Sequence, residues 1–401
     1  MNILVLNCGS SSVKYQLLDM TTETVLCKGL VERVGSQEGS FRHQKGEEKL
    51  QFSMAVPDHK VAIAKVLQLL TDPQWGAIKD VSQINGVGHR VVHAGEKFAC
   101  SVRLTKEVRD TLQECCKYAP LHNPANLLGI HAIDELLPNV PQVGVFDTAF
   151  HQTMPPRAFL YAIPYKFYED YRIRRYGFHG TSHRYVSERV AKLMGRDLKS
   201  LKIVTCHLGN GASIAAVDGG KSVDTSMGFT PLEGLVMGTR CGDLDPAIPM
   251  VLANDYGLSI SQIDNLLNKQ SGLLGLSGLS NDMRDIEAAM DNGHEGARRA
   301  FEVFTYRIIK YIGAYAAAMN GLDAVVFTGG IGENSVRVRE WVLKGITFLG
   351  LRLDEAANSS PQKEKRITTA DSKVEAWVVP TNEELIIARD TLALINGSNG
   401  K

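Results

Sequence analysis

Apolar residues fall in short blocks separated by polar turns along the first part of the chain. The blocks at 3–6, 13–18, 25–34 and 49–53 each read as a strand. The period then changes, with apolar positions spaced for a helix over 60–70, a buried strand at 84–89, helices over 106–116 and 124–136, and a strand at 142–146. A βββαβαβ order results. It returns past the midpoint: strands at 203–206, at 213–217 and from Lys221, helices including a long one over 297–319, and a strand at 324–327. A helix from Asn334, a strand at 376–379 and a last helix over 383–395 complete it. Mixed strands followed by helices, twice over, predict two layered α/β domains. Gly313 and the alanines around it, inside the long helix, are expected to serve close helix packing.

Two glycine-rich turns occupy equivalent places in the repeat. Asn7-Cys8-Gly9-Ser10-Ser11-Ser12 follows the first strand, and His207-Leu208-Gly209-Asn210-Gly211 follows the strand at 203–206. Gly9, Gly209 and Gly211 are expected to adopt backbone conformations closed to other residues, so that backbone N–H groups and small hydroxyls form a concave anion site. A third cluster, Thr328-Gly329-Gly330-Ile331-Gly332-Glu333-Asn334, follows the strand at 324–327. Either turn alone reads equally as an ordinary β-turn; three clusters on one repeat point to phosphate. Gly220-Lys221-Ser222 imitates the end of a P-loop, but the first glycine of that motif would fall on Ala215 inside a strand. It reads as a hairpin turn.

Length and charge narrow the field. A chain of 401 residues suits two domains, with Pro155-Pro156 near the expected boundary. Forty-four basic and 44 acidic residues cancel, which gives no electrostatic support to a nucleic-acid or anionic-membrane partner. No apolar stretch approaches a bilayer span, and Met1 runs directly into a strand without a leader pattern, so a cytoplasmic location is expected. Seven cysteines without a Cys-x-x-Cys spacing read as reduced thiols.

Candidate chemistry lies at strand ends. Arg90 follows the strand at 84–89 and Asp147 the strand at 142–146, where open α/β sheets place their ligands. Arg240 sits in the glycine-bracketed loop Met237-Gly238-Thr239-Arg240-Cys241-Gly242-Asp243. Two arginines from opposite halves can clamp a carboxylate and a phosphoryl group through forked hydrogen bonds. Any one of them alone reads rather as a surface ion pair. His179 and His183 stand four apart, a zinc spacing on a helix, but no glutamate follows His179 and Gly180 predicts a turn there. His179 is therefore read as a donor toward developing negative charge and His183 as structural. No Gly-x-Ser-x-Gly elbow supports a serine hydrolase.

These segments, together with Pro120-Leu121-His122-Asn123-Pro124, Phe146-Asp147-Thr148-Ala149-Phe150-His151, Arg175-Tyr176-Gly177-Phe178-His179-Gly180-Thr181-Ser182-His183, Asp224-Thr225-Ser226-Met227-Gly228 and Pro380-Thr381-Asn382-Glu383-Glu384, resemble the acetate kinase family over 2–394. The resemblance implies the actin-like ATPase (ribonuclease H-like) fold: duplicated βββαβαβ domains, 1–150 plus 386–401 and 151–385, with the active site in the cleft between them. It implies reversible phosphoryl transfer from ATP to acetate, giving ADP and acetyl phosphate, with magnesium or manganese, in a homodimer with no nucleic-acid or membrane partner. Carried onto this chain, Arg90, Asp147, His179 and Arg240 are catalytic, and Val92, Leu121, Phe178 and Pro231 pocket the methyl group beside Arg90. Asn7 and Glu383 lie around the metal. Ser10, Ser11, Ser12 and Lys14 border the phosphates; His207, Leu208, Gly209, Asn210, Gly211, Gly330, Ile331, Gly332, Glu333 and Asn334 wrap the nucleotide phosphates. Asp282, Met283 and Arg284 lie near the adenosine.

Acetate is ionised at neutral pH, so its attack on phosphorus needs no strong base, and alignment with charge stabilisation carries the reaction. Asp147 is accordingly read as orienting an arginine or a metal-bound water. Val92 shortens the pocket relative to alanine and favours acetate, although one methylene discriminates by only ~1–3 kcal/mol. A kinase for propionate or another short acid, a non-catalytic actin-like nucleotide-dependent binding module, and a pyrophosphate-using variant remain as alternatives. Cys241, beside Arg240, is expected to make the site sensitive to thiol modification, and Cys8 to fill space.

Overall fold

Each unit is built on a sheet in which five successive strands share one order. In the computed structural model, which describes residues 1–117, 119 and 122–397, contacts divide the chain into a unit of 1–150 with 382–401 and a unit of 151–381. The first unit carries β1 (Asn2–Gly9), β2 (Ser12–Asp19), β3 (Thr24–Glu32), β4 (Ser36–Lys45), β5 (Glu48–Val56), β6 (Ile84–Val91), β7 (Val102–Arg103) and β8 (Gln142–Phe146). Their order is β5-β4-β3-β2-β1-β6-β8-β7. The second carries β9 (Lys202–Leu208), β10 (Ala212–Asp218), β11 (Lys221–Thr225), β12 (Ala324–Thr328), β13 (Lys365–Arg366) and β14 (Glu375–Val378), in the order β11-β10-β9-β12-β14-β13. In both, an antiparallel hairpin (β1 with β2, β9 with β10) is followed by two parallel pairings, β1-β6-β8 and β9-β12-β14. The duplication expected from the apolar blocks is present in these five strands, and the first sheet adds β4 and β5 beyond them.

Three expectations need correction. Residues 36–45 form β4, which the apolar pattern misses because its outward positions are polar; Gly39, Phe41 and His43 alone alternate inward. The third glycine cluster is itself a short helix, Gly329–Asn334, followed by a separate helix Val336–Lys344, so helix formation begins before Asn334. The long helix Glu295–Ala318 runs unbroken through Gly313, where an added Cβ would meet nothing within 4 Å, so that glycine serves no close packing. The Gly219-Gly220 pair, with φ of 57° and 81°, makes the tight turn between β10 and β11 expected in place of a P-loop.

The first core fills one face of the β1–β6 sheet, where Leu4, Leu6, Tyr15, Leu17 and Phe41 pack against helices His59–Leu70 and Asn123–Leu136. Burying such a side chain fully contributes ~1.5–3 kcal/mol. The opposite face of β6 receives helix Glu383–Ile395. Gly86 and Gly88 admit it, because a Cβ at Gly88 would stand 2.5 Å from Thr391 Oγ1 and 2.6 Å from Ile387 Cγ2. Side chains alternate along a strand, so Arg90 projects from that same face beyond the helix start. No helix among the described residues is long and apolar enough to cross a membrane.

Candidate active site

In the first unit the packing of Glu383–Ile395 on β6 sets up a charge cluster. Arg90 lies within β6, one residue before its end, and Asp147 directly follows the neighbouring β8. The two side chains meet as a fork: Arg90 Nε donates to Asp147 Oδ1 at 3.0 Å and Nη2 to Oδ2 at 2.5 Å. Glu383, in the first turn of its helix, stands 3.7 Å from Arg90 Nε, and Glu384 pairs with Lys14 on β2. Three carboxylates thus share two cations. Burial raises the Asp147 carboxyl above its usual range, Arg90 opposes that, and the charge of Glu383 adds to it. Glu383 is raised in the same way, by burial first and by Glu384 after the opposing pull of Arg90.

Asn7 sits in β1, with Ser10 and Ser11 in the turn and Ser12 opening β2. His59 Nε2 donates to the Gly9 carbonyl at 2.7 Å, fixing that turn. Val92 follows β6, is buried, and donates its N–H to Asn126 Oδ1 at 3.1 Å, while Asn126 Nδ2 donates to the Cys8 carbonyl at 2.7 Å. Asn123 likewise holds both the N–H and the carbonyl of His93. Sequence reasoning missed these two buried asparagines; the signal was Asn-Pro-Ala-Asn at a helix start. Cys8 fills space against Gly129, and burial pushes its thiol up to about 12. Leu121 lies outside the described residues.

In the second unit, Gly211 is surrounded by the other candidates. A Cβ built there would lie 3.6 Å from Arg240 Nη1 and 3.7 Å from His179 Nε2 and Cε1. Arg240 Nη1 donates to the Pro231 carbonyl at 3.0 Å. Among the described residues no carboxylate pairs with Arg240, and burial pulls its pKa down. An unpaired, largely buried guanidinium is an anion receptor. The loop that carries it is braced at both ends. Arg175 donates to the Thr225, Ser226 and Met227 carbonyls and to Glu233, while Asp243 accepts from Gly234 N at 2.9 Å and Tyr311 Oη at 2.9 Å and pairs with Arg307.

His179 caps the helix Gly180–Met194 in the left-handed region, φ 55°, so the expected turn lies at His179 and Gly180 opens the helix. Its ring stacks on His207 with centroids 4.2 Å apart, and its Nδ1 is 2.9 Å from Ser213 Oγ. Phe178 is buried, and its carbonyl accepts from His151 Nε2 at 3.0 Å. Gly9, Gly209 and Gly211, expected in conformations closed to other residues, do not adopt positive φ. Gly209 N instead bonds to Gly211 O at 3.1 Å, and the turn stays tight without strain.

Beside this turn opens a cavity of about 670 Å³, lined by Gly209, Asn210, Asp282, Met283, Arg284, Gly330, Ile331 and Asn334 of the expected nucleotide set, and by Asn281, Glu287 and Ser335, which sequence reasoning missed. Glu287 lies four residues beyond Met283 on one helix, hence on the same face. Asn210 Oδ1 accepts from Asn281 Nδ2 at 3.0 Å; Gly238 makes room for it, since a Cβ there would fall 1.9 Å from that oxygen. Asp282 caps its helix and pairs with Arg284. Glu333 is spent on the fold: its Oε1 accepts from Gly329 N at 2.9 Å and from Thr381 N at 3.3 Å. Leu208 and Gly332 pack the strand and short helix together.

A duplicated sheet with a glycine-bordered cavity, beside an arginine that no carboxylate pairs with among the described residues, is an arrangement that suits a phosphorylated ligand. Comparison with known proteins gives the family. The Acetokinase family matches residues 2–389. The chain is 59% identical over 397 residues to the acetate kinase of Clostridioides difficile (strain 630), covering 98% of this chain and 100% of that one. Crystal structures of Porphyromonas gingivalis acetate kinase (TM-score 0.95, 50% identity) and of a propionate kinase from Francisella tularensis subsp. tularensis SCHU S4 (TM-score 0.91, 42% identity) each cover 98% of this chain and 99% of their own. The chain belongs to the acetokinase family.

Proposed function

We propose that the chain is an acetate kinase, transferring the γ-phosphoryl group of ATP to acetate by direct in-line attack of the carboxylate, reversibly. The observation that carries the reading is Arg240, a half-buried guanidinium without a carboxylate partner among the described residues, beside His179 and the Gly211 turn. In this reading Arg240 and His179 stabilise the charge on the transferring phosphoryl group. Arg90, held by Asp147, orients the acetate carboxylate. Asp147 then acts through Arg90 rather than as a base. The cavity along Gly209, Asn210, Asp282 to Arg284 and Gly330 to Asn334 takes the nucleotide.

Three carboxylates against two cations leave the first-unit cluster one negative charge in excess, which suits a divalent cation near Glu383 and Asn7. Asn7 and Glu383 offer oxygen donors, the ligand type that magnesium takes. Bound there, magnesium would neutralise phosphate charge. A cytoplasmic homodimer is part of the same reading, supported by apolar side chains left exposed at Ile248, Met250, Val251, Tyr256 and Ile260. Sedimentation of the full chain tests that state. The acetyl phosphate formed would feed acetyl-CoA biosynthesis.

Propionate competes as the substrate, because a structurally similar solved relative is described as a propionate kinase. Hydroxylamine trapping of the acyl phosphate made from ATP with acetate, propionate or butyrate decides between them. Acetyl hydroxamate in excess is expected. Propionyl hydroxamate in excess makes the chain a propionate kinase, and no hydroxamate from any acid removes the kinase reading.

A further inference from the structure

A chain of four buried or half-buried groups runs up to the back of the His179 ring. Thr205 Oγ1 is 2.7 Å from His183 Nδ1, His183 Nε2 is 2.7 Å from Ser213 Oγ, and Ser213 Oγ is 2.9 Å from His179 Nδ1. Thr205, His183 and Ser213 are each fully buried. Such a chain can be polarised in two directions, which place the proton of a neutral His179 on opposite nitrogens.

The direction follows from the hydroxyl at the far end. Thr205 has one hydrogen and two acceptors to choose from, the His183 ring nitrogen at 2.7 Å and the Ala215 carbonyl at 3.5 Å, the limit of a hydrogen bond. The hydrogen goes to His183 Nδ1. His183 is neutral, since burial, and then the charges of His151 and His207, hold its pKa well below the ordinary value. Its single N–H is therefore on Nε2 and donates to Ser213. Ser213, having accepted there, donates its own hydrogen to His179 Nδ1. Arg240 and the His207 ring border the same imidazole.

We infer that Thr205, His183 and Ser213 are positioning residues that fix the His179 proton on Nε2, the nitrogen facing Gly211, so that His179 donates to the transferring phosphoryl group as a neutral imidazole. This deepens the acetate kinase reading and rests on it for the identity of the acceptor. His183, which pairs with His179 at a zinc-like spacing in sequence, then acts through the tautomer of its neighbour and not as a ligand.

The test is the histidine ¹⁵N spectrum of the full chain without substrates, with the His179 signals identified by their loss in His179→Asn. The expected result is a bare Nδ1 and a protonated Nε2 on His179; a protonated Nδ1 with a bare Nε2 overturns the inference. Kinetics give a second arm. Ser213→Ala, and His183→Asn, whose amide reaches Thr205 but not Ser213, should lower kcat about 10- to 100-fold, with KM for acetate and ATP changed by less than about threefold. His183→Gln, whose amide reaches Ser213, should recover most of the rate. Equal losses in the Asn and Gln variants would show that His183 only fills space. If the wild-type chain forms no acyl hydroxamate the kinase reading fails, while the spectrum still decides the tautomer.

Discussion

Single residues carry the chemistry here through what they lack as much as through what they touch. Arg240 has no carboxylate partner among the described residues, so Arg240→Ala removes charge from the transition state without stranding a buried anion. The expected loss is about 10²- to 10³-fold in kcat with the melting temperature little changed, measured by hydroxamate formation and thermal unfolding. Arg90→Ala is a different experiment. It leaves the buried Asp147 facing Glu383 without compensation, so a stability loss of about 3–5 kcal/mol should accompany the rate loss. Cys241 revises an expectation. Its partly buried thiol donates to the Gly242 carbonyl at 3.2 Å, and burial raises its pKa, so little thiolate is present at neutral pH. Iodoacetamide at pH 7 should inactivate slowly, and inactivation as fast as for a free thiol would contradict this. The placement of Arg90 and Asp147 at neighbouring strand ends was legible because each closes an apolar strand block in the sequence, and that of Arg240 because glycines bracket its loop. Asn123 and Asn126 left only the Asn-Pro-Ala-Asn signal of a helix start, and Glu287 none, since the contact each makes exists only after distant segments pack.

At the scale of elements, alternation and turn chemistry located the strands that have one apolar face, and failed where the face is polar or the glycines dense. β4 escapes because only Gly39, Phe41 and His43 point inward, where Phe41 stacks on Phe52 and His43 Nδ1 accepts from Tyr15. The helix Gly329–Asn334 escapes because three glycines in six residues argue against a helix on propensity alone. Tertiary bonds override propensity there. Arg339, buried on the next helix, donates to the Gly332 and Glu333 carbonyls at 2.9 Å each, and Glu333 reaches back to Gly329 N. Gly329 itself has φ of 77°, and a Cβ on it would stand 2.8 Å from the Leu208 carbonyl oxygen, at the end of the strand leading into the Gly209 turn. Gly329→Ala should therefore destabilise the fold by about 1–3 kcal/mol, and raise KM for ATP by displacing the cavity wall. Gly330→Ala is the control, because an added Cβ there meets nothing within 4 Å. It should melt like the wild type. Equal melting of both variants would remove the argument that the short helix is wedged against β9.

At the scale of the whole molecule, each unit buries neutral histidine where it joins its elements, and this sets an acid limit on folding. In the first unit His89 on β6 is buried and bonds to Gln142 on β8: the Gln142 amide nitrogen donates to Asp134, so its oxygen accepts from His89 Nε2, at 2.8 Å. Burial pulls the His89 pKa down to about 4, and in the second unit it pulls His151 to about 4 as well. A pKa lower in the folded chain than the ordinary 6.5 means that the unfolded chain binds more protons between those values. The stabilisation is complete above about pH 6.5 and is lost as pH falls toward about 4. One such histidine should remove about 2 kcal/mol between pH 7.5 and pH 5. Asp147 and Glu383, raised by burial, have the opposite sign: their contribution is present at low pH and lost on alkalinisation, so the total slope mixes both. A variant separates them. His89→Gln retains a donor toward Gln142 and cannot titrate, so urea unfolding should show it losing about 2 kcal/mol less than the wild type over that interval, whatever its stability at pH 7.5. Parallel pH dependence of the two proteins would mean that His89 takes up its proton in the folded chain as readily as in the unfolded one, and would overturn the acid limit argued from its burial.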